Sequence, residues 1–123
     1  MERVLGIGGV FFKAHDPKKL ADWYRENLGI SVEIGQISGV FNSTAEGEIT
    51  AWSTFPEDTQ YFGGGNQSFM LNYRVENLEK MLNQLRVAGA KVDEKVEEFP
   101  YGRFGWAYDP EGNRFEMWQP KTV

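Results

Sequence analysis

The sequence predicts an α+β domain of two tandem βαβββ modules, arranged so that curved mixed sheets enclose a cleft between them. Three observations point there. A strand, a helix and three further strand-like segments follow one another twice, the glycines and prolines that punctuate them recur at a near-constant offset, and the length suits one domain. At 123 residues, with 41% hydrophobic and 15% aromatic content, the chain can bury roughly two-thirds of its unfolded surface without crosslinks.

The first module occupies about residues 1–56. The run from Leu5 to Lys13 is rich in Ile, Val and Phe and reads as a strand. Asp16-Pro17 then supplies an N-cap residue followed by proline at the first helical position. Leu20, Trp23, Tyr24 and Leu28 recur at helical spacing, and Gly29 stands where a C-cap glycine belongs. Segments near 31–36, 39–44 and 48–54, broken by Gly35, Ser38-Gly39 and Glu46-Gly47, have the length and punctuation of strands.

Residues 57–67 read as a linker, with Gly63-Gly64-Gly65 at its flexible centre. That glycine run lacks the Lys-Ser/Thr of a phosphate loop and opens no helix, so it is a linker or a lid hinge and not a nucleotide cradle. The second module, about 68–123, repeats the pattern. Leu71, Tyr73 and Val75 alternate in a strand, Asn77 caps a helix with Leu78, Met81, Leu82 and Leu85 on one face, and Gly89 ends it. Strands follow near 91–97, 103–108 and 113–119, the last two joined by Asp109-Pro110-Glu111-Gly112-Asn113. Gly29 and Gly89 lie sixty positions apart, as do Asp16 and Glu76, and a tandem duplication accounts for that register.

Composition removes several functions. Thirteen basic against eighteen acidic residues give a net charge of -5, which argues against nucleic acid as a partner. The absence of cysteine excludes disulfides, thiolate metal sites and thiol nucleophiles. The N-terminal apolar run is broken by Gly6, Gly8 and Gly9 and has the form neither of a signal peptide nor of a spanning helix. A soluble cytoplasmic protein with no membrane partner is the expectation.

Asp16-Pro17 with Trp23-Tyr24 and Leu28-Gly29, and above all the stretch from Asp109-Pro110-Glu111-Gly112-Asn113 through Arg114-Phe115-Glu116-Met117-Trp118, resemble the vicinal oxygen chelate superfamily, which includes glyoxalase I, bleomycin-resistance proteins and extradiol dioxygenases. The resemblance covers nearly the whole chain. It implies a ligand cleft, a homodimer, and in the enzymes a divalent metal held by His, Gln or Glu from the first and last strands of each module. Carried onto this sequence, those positions fall on Gly9, Met70 (or Phe69, one residue away), Trp52 and Glu116. Glycine and tryptophan offer no suitable donor and a thioether is a poor ligand for hard or borderline cations. Glu116 alone remains, so no metal cofactor is expected. His15, the one imidazole, adjoins the helix cap and reads as a loop residue.

Strand alternation extends the cleft-facing set. Glu116 brings Arg114 and Trp118, Met70 brings Asn72 and Arg74, Trp52 brings Glu48 and Thr50, and Gly9 brings Phe11 and Lys13. Flat aromatic surface with a few charges suits a small amphipathic or aromatic molecule. Arg74 or Arg114 would hold an anionic group, and Glu116 would act as hydrogen-bond acceptor or general base. The alternative is that Arg74, Arg114, Glu48 and Glu116 neutralise one another inside a filled interior. The alternating aromatics from Tyr101 to Trp106 fit either a core strand or a binding loop. Three functions therefore stand side by side: a metal-independent small-molecule-binding protein, a metal-dependent lyase, isomerase or dioxygenase with atypical ligands, and a structural interaction module whose cleft is filled by its own side chains.

Overall fold

The computed structural model describes residues 1–42 and 49–121. Seven strands and two helices run in the order β1 (Val4–Ala14), α1 (Pro17–Leu28), β2 (Ser38–Asn42), β3 (Ile49–Pro56), β4 (Phe69–Val75), α2 (Leu78–Val87), β5 (Glu97–Phe99), β6 (Gly102–Tyr108) and β7 (Arg114–Pro120). The architecture is α+β, as the sequence predicts. Contacts divide the chain into two compact units, one formed by Gly9–Phe69 and the other by Met1–Gly8 with Met70–Val123.

In the Gly9–Phe69 unit, β1 pairs with β3 in parallel and β3 with β2 antiparallel. Asp16 accepts a hydrogen bond from the Lys19 backbone N–H at 3.1 Å, Pro17 opens α1, and Gly29 closes it in the left-handed region at φ 67°, the cap geometry that glycine makes inexpensive. Ala21, Val32 and Trp52 form the buried core under α1, with Phe12, Tyr24 and Ile30 around them. The apolar stripe expected on α1 is narrower than its spacing suggests, since Trp23 and Leu28 are 52% and 62% exposed. Trp23 instead packs edge-on against Tyr24 at 5.2 Å.

The other unit repeats these pairings. β4 and β7 are parallel, β7 and β6 antiparallel, and β5 adds to β6. Asn77 caps α2 by accepting from Lys80 N–H at 3.0 Å. Leu78, Met81 and Leu82 pack with Val75, Ala107 and Met117 in one core, with Leu85 partly buried beside it. The helix ends one residue before the expected glycine, at Ala88, and Gly89 takes the positive φ. Residues 1–8 are tied to this unit by the Glu2 N–H donating to Gln84 Oε1 at 2.9 Å and by Arg74 Nη1 donating to the Ile7 carbonyl at 2.6 Å.

Two expected strands shrink. The segment 31–36 contributes one bridge, Val32 to Gly39, because the chain turns where Gln36 N–H donates to the Glu33 carbonyl and Gly35 adopts φ 84°. Near 91–97 a bridge joins Val92 to Ala107, and the strand proper starts at Glu97. Between them the Asp93 carboxylate accepts the Lys95 backbone N–H at 3.1 Å and bends the chain away from the ladder. No helix of the described residues is long and apolar enough to cross a membrane.

Candidate functional site

Strand register places the candidate residues. In the unit that contains β4, β6 and β7, Val75, Met117 and Ala107 point toward α2. Alternation then turns their neighbours to the opposite face. Asn72 stands beside Glu116 and Arg74 beside Trp118 in the parallel ladder, while Trp106 stands beside Glu116 and Phe104 beside Trp118 in the antiparallel one. Asn72, Arg74, Glu116 and Trp118 from the expected set therefore share a face with Trp106, and Met70 has the same parity and is 1% exposed.

Glu116 is the centre of this face. Its carboxylate is 1% exposed and accepts the Asn72 Nδ2 donor on Oε1 at 2.6 Å and the Trp106 Nε1 donor on Oε2 at 3.0 Å. A buried charge costs several kcal/mol unless it is hydrogen-bonded, and these donors to both oxygens are what let the residue lie there. Using its amide N–H this way leaves Asn72 Oδ1 buried without a hydrogen-bond partner. Gly8 makes room for the arrangement: a Cβ there would overlap Asn72 Oδ1 and come within 3.1 Å of Arg74 Cγ and Trp118 Cε3.

Around this centre the cations are engaged by the fold. Arg74 reaches the Ile7 carbonyl. Arg114 donates to Asp93 Oδ2 at 3.3 Å and to the Tyr108 hydroxyl at 3.0 Å, and lies 5.5 Å from the ring centres of Trp106 and Tyr108. The Lys95 backbone N–H above all holds the Asp93 carboxyl below the usual range; burial opposes it, and the Arg114 guanidinium adds to the lowering. Trp118 stacks on Phe104 at 5.9 Å and donates Nε1 to the Tyr101 carbonyl at 3.2 Å.

The expected place of Trp52 is corrected. It lies on the helix side of its sheet, against Ala21 and Val32 and in edge contact with Phe12 and Tyr24 at 5.3 and 5.2 Å. The closing prolines Pro56 and Pro120, sixty-four positions apart, align Trp52 with Glu116 in the sequence, and that spacing is off by one residue. Counting from the helix caps, Phe11 corresponds to Asn72; Phe11 pairs with Ser53 as Asn72 pairs with Glu116, so Ser53 is the counterpart of Glu116. Its hydroxyl donates to the Thr54 carbonyl at 2.9 Å. Thr50 consequently shares the helix-side parity of Trp52, and Glu48 lies outside the described residues.

Both Glu116 oxygens already receive N–H hydrogens, and the described residues contain no group of three or more His, Asp or Glu side chains able to hold an ion. His15, its side chain 91% exposed, pairs with Glu57 at 3.0 Å. Trp106 is the site residue that sequence reasoning left between core and binding loop; its even spacing from Phe104 and Tyr108 in β6 was the available signal.

Solved structures similar to this chain include methylmalonyl-CoA epimerase from Streptomyces coelicolor in complex with 2-nitronate-propionyl-CoA, at 14% identity and TM-score 0.75 over 98% of this chain and 100% of that one. Methylmalonyl-CoA epimerase from Mycobacterium tuberculosis gives 18% identity and TM-score 0.67 over 97% and 90% of the two chains. A Legionella pneumophila structure described as an NAD-dependent benzaldehyde dehydrogenase gives 13% and 0.61 over 92% and 98%. At such identities the likeness is one of fold. A search of the curated proteins gave no match. The family model for the glyoxalase-like domain matches residues 9–118, nearly the whole chain, and the chain therefore belongs to the glyoxalase-like domain family, within the vicinal oxygen chelate superfamily.

Proposed function

We propose that the protein binds a small amphipathic or aromatic molecule through the Glu116 face and does so without a metal. The observation that carries the reading is the fully buried Glu116 carboxylate, oriented by Asn72 and Trp106 on a face that also presents Trp118 and Met70. A carboxylate fixed in this way is an acceptor for a ligand hydroxyl, amide or ammonium group, and the indoles offer flat apolar area. A second reading, a lyase or isomerase with Glu116 as general base, is favoured by the fold shared with methylmalonyl-CoA epimerases.

Titration of the tryptophan fluorescence with a bleomycin and with methylmalonyl-CoA tests the binding reading, since Trp106 and Trp118 border Glu116 on the sheet. Saturable quenching by either compound is expected. Glu116→Gln should weaken it by about 1.5 to 3 kcal/mol, the range of a charge-assisted hydrogen bond. The same change turns an amide N–H toward one of the two donors and should cost about 1 to 3 kcal/mol of stability. Quenching that is unchanged in Glu116→Gln removes Glu116 from the site. Exchange of the methylmalonyl-CoA α-proton in D₂O, absent from Glu116→Gln, would establish the epimerase reading instead.

A cytoplasmic homodimer belongs to the same proposal. Leu5, Ile7 and Leu71 are 58%, 41% and 38% exposed within one unit, apolar surface of the kind that pairing covers. Light scattering at micromolar concentration should give twice the 14.1 kDa of one chain; the monomer mass would refute the dimer.

A further inference from the structure

Loops that connect modules are ordinarily polar and exposed; in residues 57–67, Thr59, Tyr61, Gly63 and Gln67 are half-buried and one residue is fully buried. Glu57, Asp58, Gln60, Gly64, Gly65 and Asn66 are exposed, whereas Phe62 is 1% exposed. Its ring meets Phe55 at 5.1 Å in an edge arrangement; Phe55 in turn meets Phe11 at 5.5 Å and stacks on Tyr61 at 5.4 Å. Phe11, Lys13 and Phe55 lie on the face of β1 and β3 opposite Phe12 and Trp52, so this cluster covers the side of the sheet away from α1. The Lys13 ammonium stands over the Phe62 ring at 5.7 Å.

We infer that this loop is a lid bearing its own occupant: Phe62 fills a pocket walled by Phe55 and Lys13, with Phe11 beyond Phe55, which an aromatic carboxylate takes when the loop swings out. Next to Phe62 comes the run Gly63-Gly64-Gly65, where Gly63 has φ 88° and added Cβ atoms on Gly64 and Gly65 would meet nothing within 4 Å. The loop thus has a hinge with no packing to lose. The turn bond from Gly63 N–H to the Gln60 carbonyl at 3.0 Å is internal to the segment and survives its motion, while the one from Thr59 N–H to the Pro56 carbonyl, also 3.0 Å, joins the start of the segment to the end of β3. The His15–Glu57 contact at its start is solvent-exposed and holds it weakly.

The ligand class follows from what Phe62 leaves behind. A planar ring replaces the phenyl group against Phe55, and a carboxylate exchanges the cation–π contact of Lys13 for a charge-assisted hydrogen bond, the stronger of the two. This site is built within the Gly9–Phe69 unit alone and is independent of the Glu116 reading.

The test uses the full chain with 2-naphthoate and its neutral analogue 2-naphthamide as probes. Phe62→Ala removes the competing ring, and calorimetric titration should show 2-naphthoate bound at least about tenfold more tightly than by the wild type, because the closed state no longer withdraws the pocket. Lys13→Met in that background should lose the gain for 2-naphthoate and leave 2-naphthamide unaffected; equal losses would overturn the ligand class. In the wild type, 2-naphthoate should accelerate chymotryptic cleavage after Tyr61 and Phe62 several-fold, mapped by mass spectrometry. Cleavage that is unchanged or slowed overturns the lid, even where Phe62→Ala binds tightly, since that pairing marks an empty cavity only. The wild-type cleavage assay also decides the matter if Phe62→Ala does not fold.

Discussion

The two units share a ladder and differ in what they do with its free face. Each has a parallel pair, an antiparallel strand beside it, an Asp or Asn cap and a helix over an apolar core. On the side away from the helix, the β4–β7 pair Asn72 and Glu116 builds a buried carboxylate with N–H donors, and beside the corresponding β1–β3 pair Phe11 and Ser53 stands Phe55, which packs on Phe11 and receives the rings of Tyr61 and Phe62 from the linker. The helix side carries the demands of folding in both units, and the other side is where they differ. One is polar and directional there, the other apolar and self-covered.

Tryptophan substitutions give the largest effects that would break or sharpen this contrast. Trp106→Ala and Trp52→Ala should each cost about 3 to 5 kcal/mol in denaturant unfolding, as expected for a buried aromatic ring. The units separate when phenylalanine is used instead. Trp106→Phe deprives the Glu116 carboxylate of a donor and should cost about 1 to 3 kcal/mol beyond the lost area, whereas Trp52→Phe, among Ala21, Val32, Phe12 and Tyr24, should cost the area alone. Equal losses for the two phenylalanine variants would erase the distinction between a polar and an apolar indole.

A smaller effect comes from adjacent glycines, one in each unit. Gly8→Ala drives a methyl group into Asn72, Arg74 and Trp118, all held by hydrogen bonds or stacking, and should destabilise by about 1 to 3 kcal/mol. Gly9→Ala meets the edge of the Phe11 ring at 2.9 Å and Ala51 Cβ at 3.3 Å, and a ring edge yields more readily, so its melting temperature should fall less. The reverse order would show that the Glu116 neighbourhood is the softer of the two.

Much of this was readable in the sequence because it rests on local chemistry. The Asp16 and Asn77 caps, the Gly29 stop and the α2 stripe of Leu78, Met81 and Leu82 follow from spacing and cap preference. The grouping of Asn72, Arg74, Glu116 and Trp118 followed from strand alternation once Glu116 was placed. Trp52 failed because proline spacing is a poor guide to register and a one-residue slip exchanges the two faces of a strand. Spacing in β6 left Trp106 open between core and site, and Phe62 was beyond reach: hydrogen bonding across strands and the folding-back of a linker are tertiary facts. Nothing in the local pattern around Phe62 distinguishes a covering ring from an exposed one.

The central claim is that the Glu116 cluster works without a bound metal, and elemental analysis of the purified protein tests it most directly. Well below one equivalent of zinc, nickel, iron or manganese per chain is expected, with ligand-dependent fluorescence quenching unchanged after treatment with a chelator. About one equivalent per chain, removed by the chelator together with binding, would contradict the account and make the site a metal centre with an atypical ligand set.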